Sequence, residues 1–341
     1  MIKSIELENF RKFETLSINT ESKIVILTGP NAIGKTSVLE SIYLISTSKS
    51  HRTNDIEDVI EENKNYSIIK INSDKRFKLV LSNEGRKSFI NDKEYSKLSE
   101  FIGNLNVLMF SPSDIELITG QKGTRRRFLD IEISLLDKMY LKEITAYRKL
   151  LKERNEILKN YKEENKLMLD VITGQLIEMI DLISNKRIKF IEQINSILKN
   201  VSKKLECENI NLNYLTTYDL NNIKKSFDNK LAYDLISKTT NIGLHRDDFE
   251  IYINDKSIQT FGSEGQMRNT ILAIKLAIME IYKKENKDII LLLDDVFASI
   301  DQKRINKIME YIKLEKQTFI TTTSLFNIPD ELLKEAKIIK L

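Results

Sequence analysis

The stretch Gly29-Pro30-Asn31-Ala32-Ile33-Gly34-Lys35-Thr36 constrains this chain more than any other. It follows the apolar run Ile24-Val25-Ile26-Leu27 and precedes a helical pattern over residues 37–45. A short, continuous apolar run reads as a strand covered on both faces. Strand, glycine loop and helix in that order form the context of a Gly-x-x-x-x-Gly-Lys-Thr phosphate loop, whose backbone amides face an anion at a helix N-terminus. All eight residues are therefore candidate nucleotide contacts. Lys35 is expected to reach the β- and γ-phosphates and the Thr36 hydroxyl to ligate a metal ion, with ATP and Mg²⁺ as the cofactors.

Glycine placement agrees with this. The chain has ten glycines, and Gly29, Gly34, Gly243, Gly262 and Gly265 fall in three short stretches. With no Cβ, glycine suits sharp turns and close approach to a ligand. A formal net charge of +4 sets up no global field for nucleic acid, so any such surface must be local. Cys207 is the one cysteine, which excludes an internal disulfide and a cysteine-based metal site within one chain. Acidic residues in Met1-Ile2-Lys3-Ser4-Ile5-Glu6-Leu7-Glu8 stand where a signal peptide needs an apolar core. The aliphatic run 289–293 is too short to span a bilayer. A cytoplasmic protein with no membrane partner is expected.

Alternating residues predict a strand over 2–7, a turn through Asn9-Phe10-Arg11-Lys12 and a second strand near Leu16 and Ile18. Further strands are expected at 67–71, 77–81, 89–90 and 107–110. From Arg125 to Glu206 there is no proline and one glycine, and apolar residues recur at helical spacing either side of the polar patch Lys162-Glu163-Glu164-Asn165-Lys166. This predicts two long helices folded back as an antiparallel arm. The last third predicts strands at 249–253 and 289–293, a helix at 268–284 and a final strand at 318–322. The expected fold class is α/β, with a discontinuous head (1–124 plus 207–341) and an inserted helical lobe (125–206).

Ile289-Ile290-Leu291-Leu292-Leu293-Asp294-Asp295 fits a Walker B strand. Asp294 would join Thr36 at the metal, and Asp295 is the candidate general base for an attacking water. Ser263-Glu264-Gly265-Gln266 combines a hydroxyl, free amides and a helix N-terminus. The bland reading is an N-cap by Ser263. The sharper one is a second anion site: Ser263, Gly265 and Gln266 acting in trans on the phosphate held by another copy.

With these motifs the chain resembles the RecF family of bacterial recombination-mediator ATPases, of the ABC/SMC-like class. The resemblance runs through Ile5-Glu6-Leu7-Glu8-Asn9-Phe10-Arg11, the phosphate loop, Lys49-Ser50-His51-Arg52-Thr53, Phe110-Ser111-Pro112 with Asp114, and Arg126-Arg127-Phe128-Leu129-Asp130. It continues through Gly243-x-His245-Arg246-Asp247-Asp248, Ser263-x-Gly265-Gln266 and Asp294-Asp295-Val296-Phe297. It implies a P-loop ABC/SMC-like head with a helical second lobe, ATP-dependent homodimerisation, and binding of duplex or gapped DNA and its single-strand junctions. It further implies cooperation with RecO and RecR in loading RecA, supporting replication restart and the SOS response from a nucleoid-associated position.

Arg11, Lys12, His51, Arg52, His245 and Arg246 are candidate phosphate contacts, and Lys122, Arg125, Arg126 and Arg127 candidate DNA contacts. Leu244 stands where the family usually has proline, which is expected to loosen that loop. Thr321-Thr322-Thr323 occupies the place of the transporter histidine switch, and no Q-loop glutamine is recognisable near 107–118. Asp295 is one methylene shorter than the usual glutamate, so weak, DNA-stimulated ATP hydrolysis is expected. The rival readings are another SMC-like head and an ABC transporter subunit. More than two hundred residues between Lys35 and Ser263 disfavour the transporter.

Overall fold

Backbone amides buried away from water must pair, and apolar runs covered on both faces do so as inner strands of a parallel sheet. The computed structural model describes residues 1–53, 55–298 and 302–341. Its strands in chain order are β1 (Ser4–Phe10), β2 (Phe13–Asn19), β3 (Ile24–Thr28), β4 (Tyr66–Asn72), β5 (Arg76–Ser82), β6 (Gly85–Ile90), β7 (Lys93–Tyr95), β8 (Val107–Phe110), β9 (Ile210–Leu215), β10 (Asp248–Ile253), β11 (Lys256–Ser257), β12 (Ile290–Asp294), β13 (Gln317–Thr322) and β14 (Ala336–Lys340).

The chain divides into one unit of residues 1–114 and 278–341 and another of 115–277. In the first, a parallel sheet runs β14-β3-β13-β12-β8. Ile24, Val25, Ile26 and Leu27 are at most 2% exposed, as are Leu291, Leu292 and Leu293 of β12. Burying each such side chain contributes roughly 1.5–3 kcal/mol, which is why these runs show no polar alternation. An antiparallel sheet, β2-β1-β4-β5-β6-β7, completes the unit. Here alternation is visible: Ile5 and Leu7 are buried while Glu6 pairs across the open face with Lys70. The helix Lys35–Thr47 buries Val38, Leu39, Ile42 and Ile45.

Two expectations need correction. The strand at 318–322 is not the last, because β14 follows at the sheet edge with the mixed burial of an edge strand. The helical stretch from 125 is broken once more than expected: the helix Lys122–Leu136 stops at Asp137, whose extended backbone ends it. The Asp137 carboxylate then accepts from Met139 N and caps Lys138–Lys159.

In the second unit the 40-residue helix Lys166–Leu205 packs along Lys138–Lys159. Its buried stripe runs Leu169, Ile172, Leu176, Ile180, Ile183, Phe190, Ile194, Leu198 and Val201, at three- and four-residue spacing with one seven-residue step. The three-stranded sheet β11-β10-β9 belongs with this helix. Asn195 both donates to Leu212 O (2.8 Å) and accepts from Leu212 N (2.9 Å). That pairing ties β9 to the helix, and by contact the whole of 115–277 forms one unit, a division different from the expected head of 1–124 plus 207–341.

Two arginines lie fully inside this unit. Arg154 reaches Asp234 at 2.8 Å, Thr240 Oγ1 at 2.7 Å and Thr173 Oγ1 at 2.9 Å. Arg187 meets Asp130 at 2.8 Å and Tyr140 Oη at 2.9 Å. A buried guanidinium is tolerated only when its fork is filled in this way.

Candidate nucleotide site

The phosphate loop leaves β3 and enters the helix Lys35–Thr47, and it takes the backbone shape that glycine permits. Gly34 has φ +105°, and a Cβ there would lie 2.3 Å from the Phe13 ring. Gly29 has φ +155°, and a Cβ would approach Leu341 O at 3.0 Å. Ala32, at φ 61°, carries the turn between them. Gly34 is the helix N-cap, and no side chain caps that end. Its free amides are the donors an anion would take.

At the C-terminal end of β12, Thr36 Oγ1 donates to Asp294, lying 2.9 and 3.1 Å from the two carboxylate oxygens. Thr321 Oγ1, on β13, donates to Asp294 Oδ1 at 2.7 Å and accepts from Asp295 N at 2.9 Å. By sequence, Thr321 is only part of the threonine run in the place of the transporter histidine switch. Only the parallel pairing of β12 and β13, which sets Asp294 opposite Thr321, gives it a role.

Asp295 adopts φ 52°, in the left-handed region, and its buried Oδ1 has no hydrogen-bond partner. A strained backbone and an orphaned carboxylate oxygen beside a phosphate loop suit a group that acts on an incoming molecule. Burial raises the carboxyls of both Asp294 and Asp295 above the ordinary range, and their hydrogen-bond and cationic neighbours oppose it. Lys35 Nζ donates to Gly29 O (2.6 Å) and Pro30 O (2.8 Å), folded over the loop it would serve.

Behind the loop, Glu40 is fully buried and the sequence reading missed it. Arg11 grips it with Nε at 2.9 Å and Nη2 at 2.6 Å, Arg52 stands 3.6 Å away and Ser50 Oγ donates to it. Arg11 and Arg52, expected at phosphate, thus converge on a carboxylate in this structure. Lys12 Nζ donates to Ala32 O at 2.7 Å and so braces the loop. His51 packs edge-on against Tyr43. Burial pushes its pKa down to about 4, leaving the ring neutral.

In the second unit, Ser263 Oγ accepts from Gln266 N (3.3 Å) and Gln266 Oε1 accepts from Ser263 N (2.9 Å). This reciprocal pair is a capping box, so the N-cap reading is realised, while Ser263 and Gly265 remain exposed. Gln266 Nε2 also donates to Glu208 at 2.9 Å. His245 has both ring nitrogens engaged, with Tyr147 Oη at 2.7 Å and Thr240 O at 2.9 Å, so its ring is structural. Leu244 is fully buried and its carbonyl accepts from Arg187 at 3.1 Å, which anchors the loop expected to be loose.

Among the candidate DNA contacts, Arg125 is corrected to a buried anchor. Its fork holds both oxygens of Asp248 at 2.7 and 3.0 Å. Arg126 Nη1 donates to Asp247 O at 2.9 Å. Arg127 is half-buried, whereas Lys122 is exposed, as is Arg246, a candidate phosphate contact.

Fold and site together define a P-loop, ABC/SMC-like ATPase head. The match to the family described as RecF/RecN/SMC N terminal domain covers residues 1–334. The DNA replication and repair protein RecF of Bacillus cytotoxicus is 39% identical over 357 residues, covering 99% of this chain and 96% of that protein. Its counterpart in Bacillus mycoides is 39% identical over 359 residues, with the same coverage. A solved structure of the recombination mediator protein RecF-ATP in the RecFOR pathway superposes with TM-score 0.87 at 29% identity, over 95% of this chain and 92% of that one. The Smc head domain of Pyrococcus furiosus, at 17% identity and TM-score 0.52 over 99% of this chain and 92% of that one, shares the fold. The chain belongs to the RecF family. Among the described residues, no helix is long and apolar enough to cross a membrane.

Proposed function

We propose that this protein is an ATP-dependent DNA-binding protein of recombinational gap repair that closes into a homodimer on ATP. The observation that carries the reading is the Thr36–Asp294–Thr321–Asp295 chain beside an uncapped glycine loop. The loop amides and Lys35 would hold the phosphates of ATP, and Thr36 and Asp294 would hold Mg²⁺. When bound, ATP with Mg²⁺ supplies a terminal phosphoryl group for transfer to water.

Thr321 fixes Asp294 and the Asp295 backbone, leaving the Asp295 carboxylate to orient that water and accept its proton. Ser263 and the Gly265 amide of one copy would recognise the terminal phosphate bound to the other. Charge-assisted hydrogen bonds contribute roughly 1.5–3 kcal/mol each, so a symmetric pair shifts association by orders of magnitude. Slow, DNA-stimulated hydrolysis removes the shared anion and releases the clamp. By family kinship the reading includes gapped or junction DNA, RecO and RecR as partners in RecA loading, and a cytoplasmic place at the nucleoid.

Light scattering with ADP, ATP, and ATP plus gapped duplex tests the clamp. Wild type should double in mass with ATP alone or with DNA, while Ser263→Arg stays monomeric yet still binds ATP. An ATP-induced dimer of Ser263→Arg sinks the trans contact.

A further inference from the structure

We propose that the second unit carries a nucleotide-sized cationic pocket that takes one phosphate of a DNA strand with its base against Tyr233. This rests on the reading that the protein binds DNA, and deepens it. The cavity is about 500 Å³ and is lined by Lys122, Arg126, Lys230 and Arg246, with Tyr233 and Thr217. These residues come from four separate stretches: the helix Lys122–Leu136, the segment after β9 that carries Thr217, the helix Ile223–Ser237, and the loop after Gly243. Four cations thus gather around one concavity although the chain carries only +4 overall.

Their charges are poorly answered. Among the described residues Arg246 has no ion pair, and Lys230 meets only the Tyr233 ring, with Nζ 5.9 Å from its centroid. Lys122 stands 3.8 Å from Asp248, but both oxygens of that carboxylate already serve Arg125. Asp247 lies behind Arg126, with Oδ2 accepting from Tyr214 and Tyr218 and Oδ1 buried without a hydrogen-bond partner. Arg126 is half-buried. Burial holds its guanidinium below the usual range; Asp248 and Asp247 oppose this, while the cations Arg187 and Arg246 push the same way. A group that costs free energy to keep charged is stabilised by an arriving anion.

Tyr233 is 57% exposed at the cavity wall, and Ile236, one turn on, is 81% exposed. An exposed aromatic beside lysine and arginine is the arrangement that stacks a base while cations track the backbone. Duplex DNA keeps its bases inside, so a concave site of this size fits an unpaired nucleotide of a single strand.

The test is fluorescence anisotropy of a labelled fifteen-nucleotide single strand with the full-length protein over a salt series. For Lys230→Glu with Arg246→Glu, affinity should fall at least about tenfold. The salt slope should flatten by about 0.7, the contribution of one neutralised phosphate of a single strand. Tyr233→Ala should weaken binding about tenfold and Tyr233→Phe should restore it. A charge-matched reversal at the helical tip, Lys162→Glu with Lys166→Glu, controls for net charge, and thermal melts confirm folding. Wild-type binding with unchanged pocket variants, or an equal loss from the tip reversal, overturns the pocket and leaves the DNA reading standing. No binding by wild type to gapped, duplex or single-stranded DNA overturns both. Displacement of the strand by micromolar thymidine monophosphate would assign the pocket to a free nucleotide. Equal binding of an oligo-glutamate peptide, lost in the same variants, would assign it to a protein. Either result overturns the strand assignment.

Discussion

Thr36 and Asp294 are 258 positions apart in sequence, yet the threonine hydroxyl lies 2.9 and 3.1 Å from the two carboxylate oxygens. On the proposed function, these two oxygens, one on the phosphate loop and one at a strand end, would supply two of the ligands of a hard cation, with phosphate oxygens and water supplying the rest.

Asp294→Asn should therefore lower Mg²⁺-dependent phosphate release by on the order of a hundredfold. Thr321 can still donate to the remaining carbonyl oxygen, so the fold should hold. Phosphate release measured against Mg²⁺ concentration checks this. Hydrolysis within a few-fold of wild type would remove Asp294 from the site.

Gly34→Ala should destabilise the first unit by at least about 2 kcal/mol, because a Cβ at a left-handed φ is strained and this one also strikes the Phe13 ring. In a Phe13→Leu background part of the loss should return, since only the collision is relieved. Urea denaturation of the two single variants and the double variant measures the coupling. Strict additivity would deny the contact.

Arg154 is fully buried and its charge is answered by Asp234. Asp234→Ala should cost roughly 3–5 kcal/mol by stranding that guanidinium. The change lies in the second unit, so denaturant curves should show the loss there. A variant within 1 kcal/mol of wild type would mean that the pair is dispensable.

His51 supplies a pH signature. Its folded pKa lies near 4 against an ordinary 6.5, so the unfolded chain binds the proton more readily. Stability from this group is complete above pH 6.5 and is lost as pH falls toward 4, by at most roughly 3 kcal/mol. Asp247, raised to about 6 by burial, works in the opposite direction over the same range. The comparison is therefore between wild type and His51→Gln, whose melting temperatures should converge as pH drops from 7 to 4. Parallel curves would mean that the ring protonates freely in the folded state.

Much of the site was legible because its chemistry is local. A glycine loop must follow a strand and open a helix, and all three lie within residues 24–47. The aliphatic runs of β3 and β12 declared themselves by lacking alternation, and Ser263 with Gln266 by cap spacing. β14 was missed because its sequence, Ala-Lys-Ile-Ile-Lys, has neither a uniform apolar run nor a clean alternation. The break at Asp137 was missed because its helix-capping role depends on a single backbone conformation.

What the sequence determined alone is the class of chemistry, since the loop, the Asp-Asp strand end and the capped turn are each encoded within a few neighbouring residues. Tertiary structure decided which charges are free. Arg125 and Arg126 are adjacent and alike in sequence, but one is consumed by Asp248 while the other opens onto a cavity. Burial and partner geometry assign those roles, and they arise only when distant segments pack, because a charge out of water persists only where another part of the chain answers it.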